Sequence, residues 1–193
     1  THVIVSRSPV DARACYSNKG IMSLAPLFLH NGSTSKSQSL FSDTDEIVSN
    51  LRPNFKALFD LSCNGSAHNS DQQIFDYMVG ILSSEIFRKR YMSLLKIDYP
   101  RIPVPKFAEL FSKVSKLGQR ISLLQLLEEN VPVAEQPKFF GSKEVLVGKV
   151  ALIDGVLWID SNSNKSELGS SGFKTVDETV FRFELGGYQI CEK

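Results

Sequence analysis

The chain has 193 residues, 42% of them hydrophobic and thirteen of them Phe, with 22 basic against 21 acidic side chains and a formal net charge of +1. Such a composition supplies an ordinary core for one domain, or for one domain with two lobes. No apolar run reaches the roughly 18 residues that a membrane-spanning helix needs, and THVIVSRSPV lacks the basic, apolar and small-residue regions of a signal peptide. Cys15, Cys63 and Cys191 are odd in number and far apart, which reads as reduced thiols in a cytoplasmic protein. The sequence opens without Met on the apolar His2-Val3-Ile4-Val5 and stops at Cys191-Glu192-Lys193, so a fragment of a longer polypeptide is expected.

Strand-like pieces come first, at Val3 to Ser6, Ala12 to Ser17 and Leu24 to His30. Residues 31–46 are rich in Ser, Thr, Asn and Asp and read as a loop. Arg52-Pro53-Asn54 predicts a short helix to about Leu61, with Phe55, Leu58 and Phe59 on one face. Asn69-Ser70-Asp71 predicts an N-cap before a helix whose Ile74, Tyr77, Met78 and Ile81 recur at helical spacing. Ser83-Ser84-Glu85 restarts a helix carrying Phe87, Tyr91, Leu94 and Leu95. The prolines of Tyr99-Pro100-Arg101-Ile102-Pro103-Val104-Pro105 require an extended path.

A long helix is predicted over Lys106 to Glu129, with an apolar stripe of Phe107, Leu110, Phe111, Val114, Leu117, Ile121, Leu124 and Leu127. Residues 130–142 read as a connector. Asp154-Gly155 between two apolar runs is a hairpin signal. A second polar loop follows, and then Val180 to Leu185 alternate like a half-exposed strand. The expected class is α+β, with N- and C-terminal β segments forming a recognition lobe around a central helical region. In residue terms, 1–46 and 143–193 are expected to be β-rich and 47–130 helical, within a single domain.

Catalytic strings are missing from the sequence. It has no phosphate loop, no Gly-x-Gly-x-x-Gly turn, no nucleophile elbow and no methyltransferase Asn/Asp-Pro-Pro-aromatic corner. His2, His30 and His68 are scattered, and no Cys or His pair has zinc-ligand spacing. Asp154 and Asp160 flank a hairpin, where turn chemistry competes with a reading as paired carboxylates. No metal site and no catalytic residue are expected.

Charge distribution is the positive signal. Residues 85–120 carry nine basic side chains against Glu85, Asp98 and Glu109, a local balance of 9 − 3 = +6. A solvated helix face and a phosphate-tracking surface both fit that pattern, since Lys and Arg supply most non-specific DNA affinity. The phosphate candidates are Arg88, Lys89, Arg101, Lys106, Lys113 and Lys116. Candidates for base edges are Lys36, Gln38, Asn162, Asn164, Lys165, Lys174, Tyr188 and Gln189, most of them side-chain types suited to major-groove readout.

Specific strings then point to a family. Asp76-Tyr77, Ser83-Ser84, Phe87-Arg88, Arg90-Tyr91, Leu95-Lys96-Ile97-Asp98 and Tyr99-Pro100-Arg101-Ile102-Pro103 occur in order. They resemble a helix followed by an "LKxDFPRIPxP" string in type I single-polypeptide restriction–modification enzymes. Leu24 to His30 with Leu51-Arg52-Pro53-Asn54, and Leu185 to Lys193 around Gly186-Gly187-Tyr188-Gln189, extend the resemblance over nearly the whole chain.

The resemblance implies a C-terminal target-recognition domain of a bacterial enzyme whose other parts hold a nuclease, sometimes a motor, and an N6-adenine methyltransferase using S-adenosylmethionine. It implies double-stranded DNA and the methyltransferase domain of the same polypeptide as partners, and no cofactor in this chain. Strings shared by a family that reads many sites are expected to be scaffold. Pro100 to Pro103 would then bend the chain and dock helices, with Arg101 satisfied by protein or phosphate. Gly186-Gly187 would form a tight turn or permit a close backbone approach. The stretches that depart most from the family pattern, 31–46 and 161–175, are the expected readout segments. The alternative is a helical module that packs on its own methyltransferase domain or a partner without reading bases; a stand-alone small enzyme is the third reading.

Overall fold

The computed structural model describes residues 3–11, 23–31, 46–63, 69–132, 136–142, 144–161, 169–185, 188–189 and 191. It has the expected α+β character. By contacts the chain falls into two compact units, one of residues 1–11 and 23–129, the other of 12–22 and 130–193.

The first unit begins with an irregular segment. Val3 to Ser6 forms no strand. The Val5 amide donates to Gln125 Oε1 at 2.8 Å and Gln125 Nε2 donates to the Val3 carbonyl at 3.3 Å, so one side-chain amide takes the place of a neighbouring strand. Arg7 adds a two-pronged ion pair with Glu128, at 2.9 and 2.6 Å. Strands β1 (Phe28–Asn31) and β2 (Glu46–Ser49) then pair antiparallel as a sheet of their own. This ribbon groups with the helices rather than with the C-terminal strands. The cause is local: Leu51, two residues past β2, packs on the helical core.

Helix α1 (Pro53–Ser62) starts with Pro in its first turn, where the missing N–H costs nothing. Helix α2 (Asp71–Ser83) carries the predicted cap as a complete capping box: Ser70 Oγ accepts from the Gln73 amide and Gln73 Oε1 accepts from the Ser70 amide. Lys56 forms an ion pair with Asp71, joining α1 to the start of α2 and holding the Asp71 carboxyl below its ordinary range. Ser84 ends α2 and caps α3 (Glu85–Arg90), and a break at Tyr91 separates α3 from α4 (Met92–Leu95). The predicted second helix is therefore two short ones.

Helix α5 (Ala108–Gln125) is shorter than expected at both ends. Leu127 adopts a left-handed φ of 57°, and the Glu128 amide returns to the Leu123 carbonyl at 2.9 Å, a Schellman-type stop. The predicted stripe is also displaced. The buried positions are Phe111, Ser115, Gly118 and Ser122, whereas Leu110, Leu117 and Leu127 are exposed.

Small residues let α5 approach α2 closely. A Cβ on Gly118 would stand 1.8 Å from the Asp76 carbonyl oxygen and 2.8 Å from the Gly80 nitrogen, and one on Gly80 would stand 2.7 Å from the Val114 carbonyl oxygen. Ser115 Oγ donates to the Gln73 carbonyl at 3.0 Å across the same contact. At its N-terminal end the core widens into Phe55, Phe59, Tyr77 and Phe111, with ring centroids 5.1 to 5.7 Å apart. Each such pair contributes about 0.5–1.5 kcal/mol beyond area burial.

The second unit is a four-stranded antiparallel sheet in the order β3 (Lys138–Phe140), β6 (Gly172–Lys174), β5 (Val156–Ser161), β4 (Lys149–Ile153). Asp154 and Gly155 have φ of 51° and 74°, the two positive values that a tight β4–β5 turn demands. Two strands lie where polar connectors were predicted, β3 inside 130–142 and β6 inside 161–175. The pattern at 180–185 is also corrected. Asp177 caps a helical turn, α6 (Glu178–Phe181), by accepting from the Thr179 amide at 2.7 Å, and this consumes Val180 and Phe181 before β7 (Glu184–Leu185) pairs with β8 (Tyr188–Gln189). Gly186 and Gly187, and with them the expected tight turn, lie outside the described residues. Cys63 and Cys191 are free thiols, and no described helix is long and apolar enough to cross a membrane.

Two outcomes follow from the α2–α5 contact. Gly118→Ala should destabilise by about 1–3 kcal/mol in urea unfolding, against the roughly 1 kcal/mol gain an exposed helical Gly→Ala gives. Asp76 is buried, which raises its carboxyl, and donation from Gln72 only partly opposes this. A raised folded value means that stability from this group is complete below the ordinary Asp range and is lost as pH rises through the folded value. Asp76→Asn, which keeps an acceptor for Gln72, should therefore gain stability relative to the parent at pH 7 more than at pH 4.

Candidate nucleic-acid interface

In the first unit the candidate phosphate-contacting side chains fall on α3, on the proline segment and on or just before α5. Helix α5 presents Lys113, Lys116 and Arg120 at i, i+3 and i+7, on the side opposite Phe111, Ser115, Gly118 and Ser122. The three span about 10 Å of helix axis, close to the rise of three base pairs. Lys113 pairs with Glu109 at 2.7 Å and Arg120 with Glu129 at 2.9 Å, whereas Lys116 has no ion pair among the described residues. Lys106 is exposed just before the helix.

On α3, Lys89 pairs with Glu85 at 2.7 Å, which holds the Glu85 carboxyl below its ordinary range. Arg88 is half-buried, with its Nε–H enclosed and without a partner among the described residues. Arg90 lies 5.9 Å from the Tyr91 ring centroid. Both side chains of the Lys89–Glu85 pair are solvent-exposed and screened, so a phosphate can displace the carboxylate at little cost.

The proline string divides by role. Ile102 packs on the helical core, Pro105 is buried, and the Pro103 carbonyl accepts from the Tyr77 hydroxyl at 2.9 Å. Burial of that phenol raises its pKa. Arg101 is left 94% exposed, with only a 3.9 Å contact to Asp98. The backbone is thus docked while the guanidinium is presented outward.

In the second unit the Asp160 carboxylate closes the base of the variable stretch. Oδ2 accepts from the Ser170 amide and hydroxyl, both at 3.0 Å, and Oδ1 accepts from the Ser171 amide at 3.2 Å. Burial alone would raise this carboxyl, but the amides of Ser171 and Ser170 and the Ser170 hydroxyl together hold it below the ordinary range. Turn and loop chemistry, not a carboxylate pair, therefore accounts for Asp154 and Asp160. The sequence marked Asp160 but not its partners, which lie ten and eleven residues away.

Of the base-edge candidates, Lys174 lies on β6 with its ammonium 5.3 Å from the Phe140 ring centroid. Tyr188 and Gln189 form β8, and Gln189 lines a shallow depression with Leu152, Glu178, Phe181 and Arg182. Lys36, Gln38, Asn162, Asn164 and Lys165 lie outside the described residues. No group of three or more His, Cys, Asp or Glu suited to a metal occurs among the described residues.

The family model of the type ISP C-terminal specificity domain matches residues 1–192, and the chain belongs to that family. Membership assigns it to target recognition in restriction–modification enzymes. No curated protein and no solved structure matches it.

Because the Asp160 carboxyl is lowered on folding, its contribution is present above the ordinary Asp range and is lost as pH falls through the folded value. Asp160→Ala should lower stability at pH 7 and leave a shallower acid limb, read by urea midpoints between pH 7 and pH 2.

Proposed function

We propose that the chain is the DNA-binding specificity domain of an N6-adenine DNA methyltransferase of the restriction–modification class. The observation that carries this reading is the specificity-domain match over residues 1–192. The outward cations of α3, the proline segment and α5 support it. In this reading Arg88, Lys89, Arg101, Lys106, Lys113 and Lys116 meet phosphates and fix the position on the duplex. Base edges are read from 31–46 and 161–175, with Lys36, Gln38, Asn162, Asn164 and Lys165 as the contacts, assisted by Tyr188 and Gln189. S-adenosylmethionine and methyl transfer belong to a methyltransferase domain of the same polypeptide.

A second partner surface is favoured by a separate observation. Leu94, Ile97 and Tyr99 are 62%, 84% and 75% exposed at the end of the α3–α4 region, an apolar surface suited to a protein neighbour. The methyltransferase domain is the partner this reading assigns to it.

Salt and sequence separate the two kinds of contact. The affinity of the 193-residue chain for duplex DNA should fall linearly on a log–log plot against salt. Lys113→Glu with Lys116→Glu should weaken binding to all sequences alike and lower that slope by about one per lysine. Asn164→Ala or Lys165→Ala should instead change which sequence is selected from a randomised duplex pool. A salt-independent affinity, or unchanged binding in all these variants, would favour the protein-interaction reading.

A further inference from the structure

The sheet of the second unit carries a cation pair that the sequence did not suggest. Lys138 on β3 and Lys174 on β6 are Cα partners in adjacent antiparallel strands. Side chains opposed in this way stand about 4.5–5.5 Å apart at Cβ, and like charges so placed destabilise a sheet. Both lysines are exposed, and neither has an ion pair among the described residues.

The face beneath them is aromatic. Phe140, Gly172 and Trp158 form the next row across β3, β6 and β5, by the registers Phe140↔Gly172 and Trp158↔Gly172. Gly172 is buried, and a Cβ there would stand 2.4 Å from the Leu157 carbonyl oxygen. With no side chain on the central strand, the Phe140 and Trp158 rings meet over it edge to face, with centroids 5.3 Å apart. The Lys174 ammonium lies 5.3 Å from the Phe140 ring centroid, so the ring gives that cation a preferred place on the sheet. Asp160 shares this face by strand alternation, but its carboxylate is spent on Ser170 and Ser171. Two lysines therefore stand opposite each other on the face that carries the Phe140–Trp158 pair, with no ion pair to an acid among the described residues.

We infer that Lys138 and Lys174 form a phosphate clamp by which the sheet unit grips the DNA backbone on its own account. One phosphate oxygen pair between the two ammonium groups relieves their repulsion, and the aromatic floor limits competing hydration. The clamp rests on the DNA-binding reading given above. It assigns Lys174 to the backbone instead of a base edge, and it adds Lys138, which no motif marked. Each unit would then have its own electrostatic anchor.

The test compares the 193-residue chain with its Lys138→Gln/Lys174→Gln and Lys138→Arg/Lys174→Arg variants on a random-sequence duplex pool across a salt series, with urea midpoints checking the fold. The Gln variant should lower the log–log salt slope by about 0.9, the value for one phosphate no longer neutralised. It should select the same sequences as the parent, and the Arg variant should retain the parent slope. An unchanged slope in the Gln variant, with salt-dependent binding intact in the parent, overturns the clamp and leaves the DNA reading standing. A changed sequence preference overturns it too, by moving Lys174 to a base edge. Absence of salt-dependent duplex binding by the parent overturns the DNA reading and the clamp together.

Discussion

The closest constraint in the helical unit is the contact of α2 with α5 through Gly80 and Gly118. Backbone meets backbone there, because a Cβ on Gly118 would stand 1.8 Å from the Asp76 carbonyl oxygen. That approach fixes the roll of α5 about its own axis. One side of the helix, Phe111, Ser115, Gly118 and Ser122, is committed to α2. Lys113, Lys116 and Arg120 are then directed away from it by helical geometry alone. Phe59 of α1 joins Tyr77 and Phe111 of the same two helices in an aromatic cluster, and Tyr77 extends the contact to the Pro103 carbonyl. The cationic surface is thus a consequence of how closely two glycines permit the helices to approach.

This explains why sequence periodicity named α5 but misplaced its buried face. Leucines at 110, 117 and 124 repeat at helical spacing and dominate any hydrophobic pattern, while glycine and serine register as neutral or polar. Close helix packing rewards small volume instead. The apolar side chains that gave the pattern are in part outward-facing, Leu117 at 61% exposure among them. By contrast, the cap at Ser70 and the turn at Asp154-Gly155 were legible because capping and turn chemistry depend only on neighbours in the chain. Asp177 carried an equally local signal that the alternation of Val180 to Leu185 obscured.

The sheet unit was less legible because its decisive relations are long-range. Asp160 is joined to Ser170 and Ser171, and Lys138 to Lys174, across separations that no local rule spans. Register decides both. A one-residue slip of β6 against β3 would turn Lys174 away from Lys138 and move Gly172 out of the row between Phe140 and Trp158. Family strings located the chain's role well, yet the strings themselves, Pro100 to Pro103 above all, are largely docked backbone, with Arg101 as the exposed exception.

A recognition domain must keep its frame constant while the residues that read sequence vary, and the two units meet that demand by different physics. In the helical unit the frame is steric: glycines that tolerate no added atom hold cations on an outward side. In the sheet unit the frame is a carboxylate that gathers donors from both Ser170 and Ser171, joining β5 to the segment before β6. The Asp160 hydrogen bonds, the β5–β6 register and the Gly172 contact are made by residues outside the 162–168 stretch. On the DNA-binding reading proposed above, variation there would alter base contacts without disturbing phosphate contacts, and that separation would allow one scaffold to acquire a new target without being rebuilt.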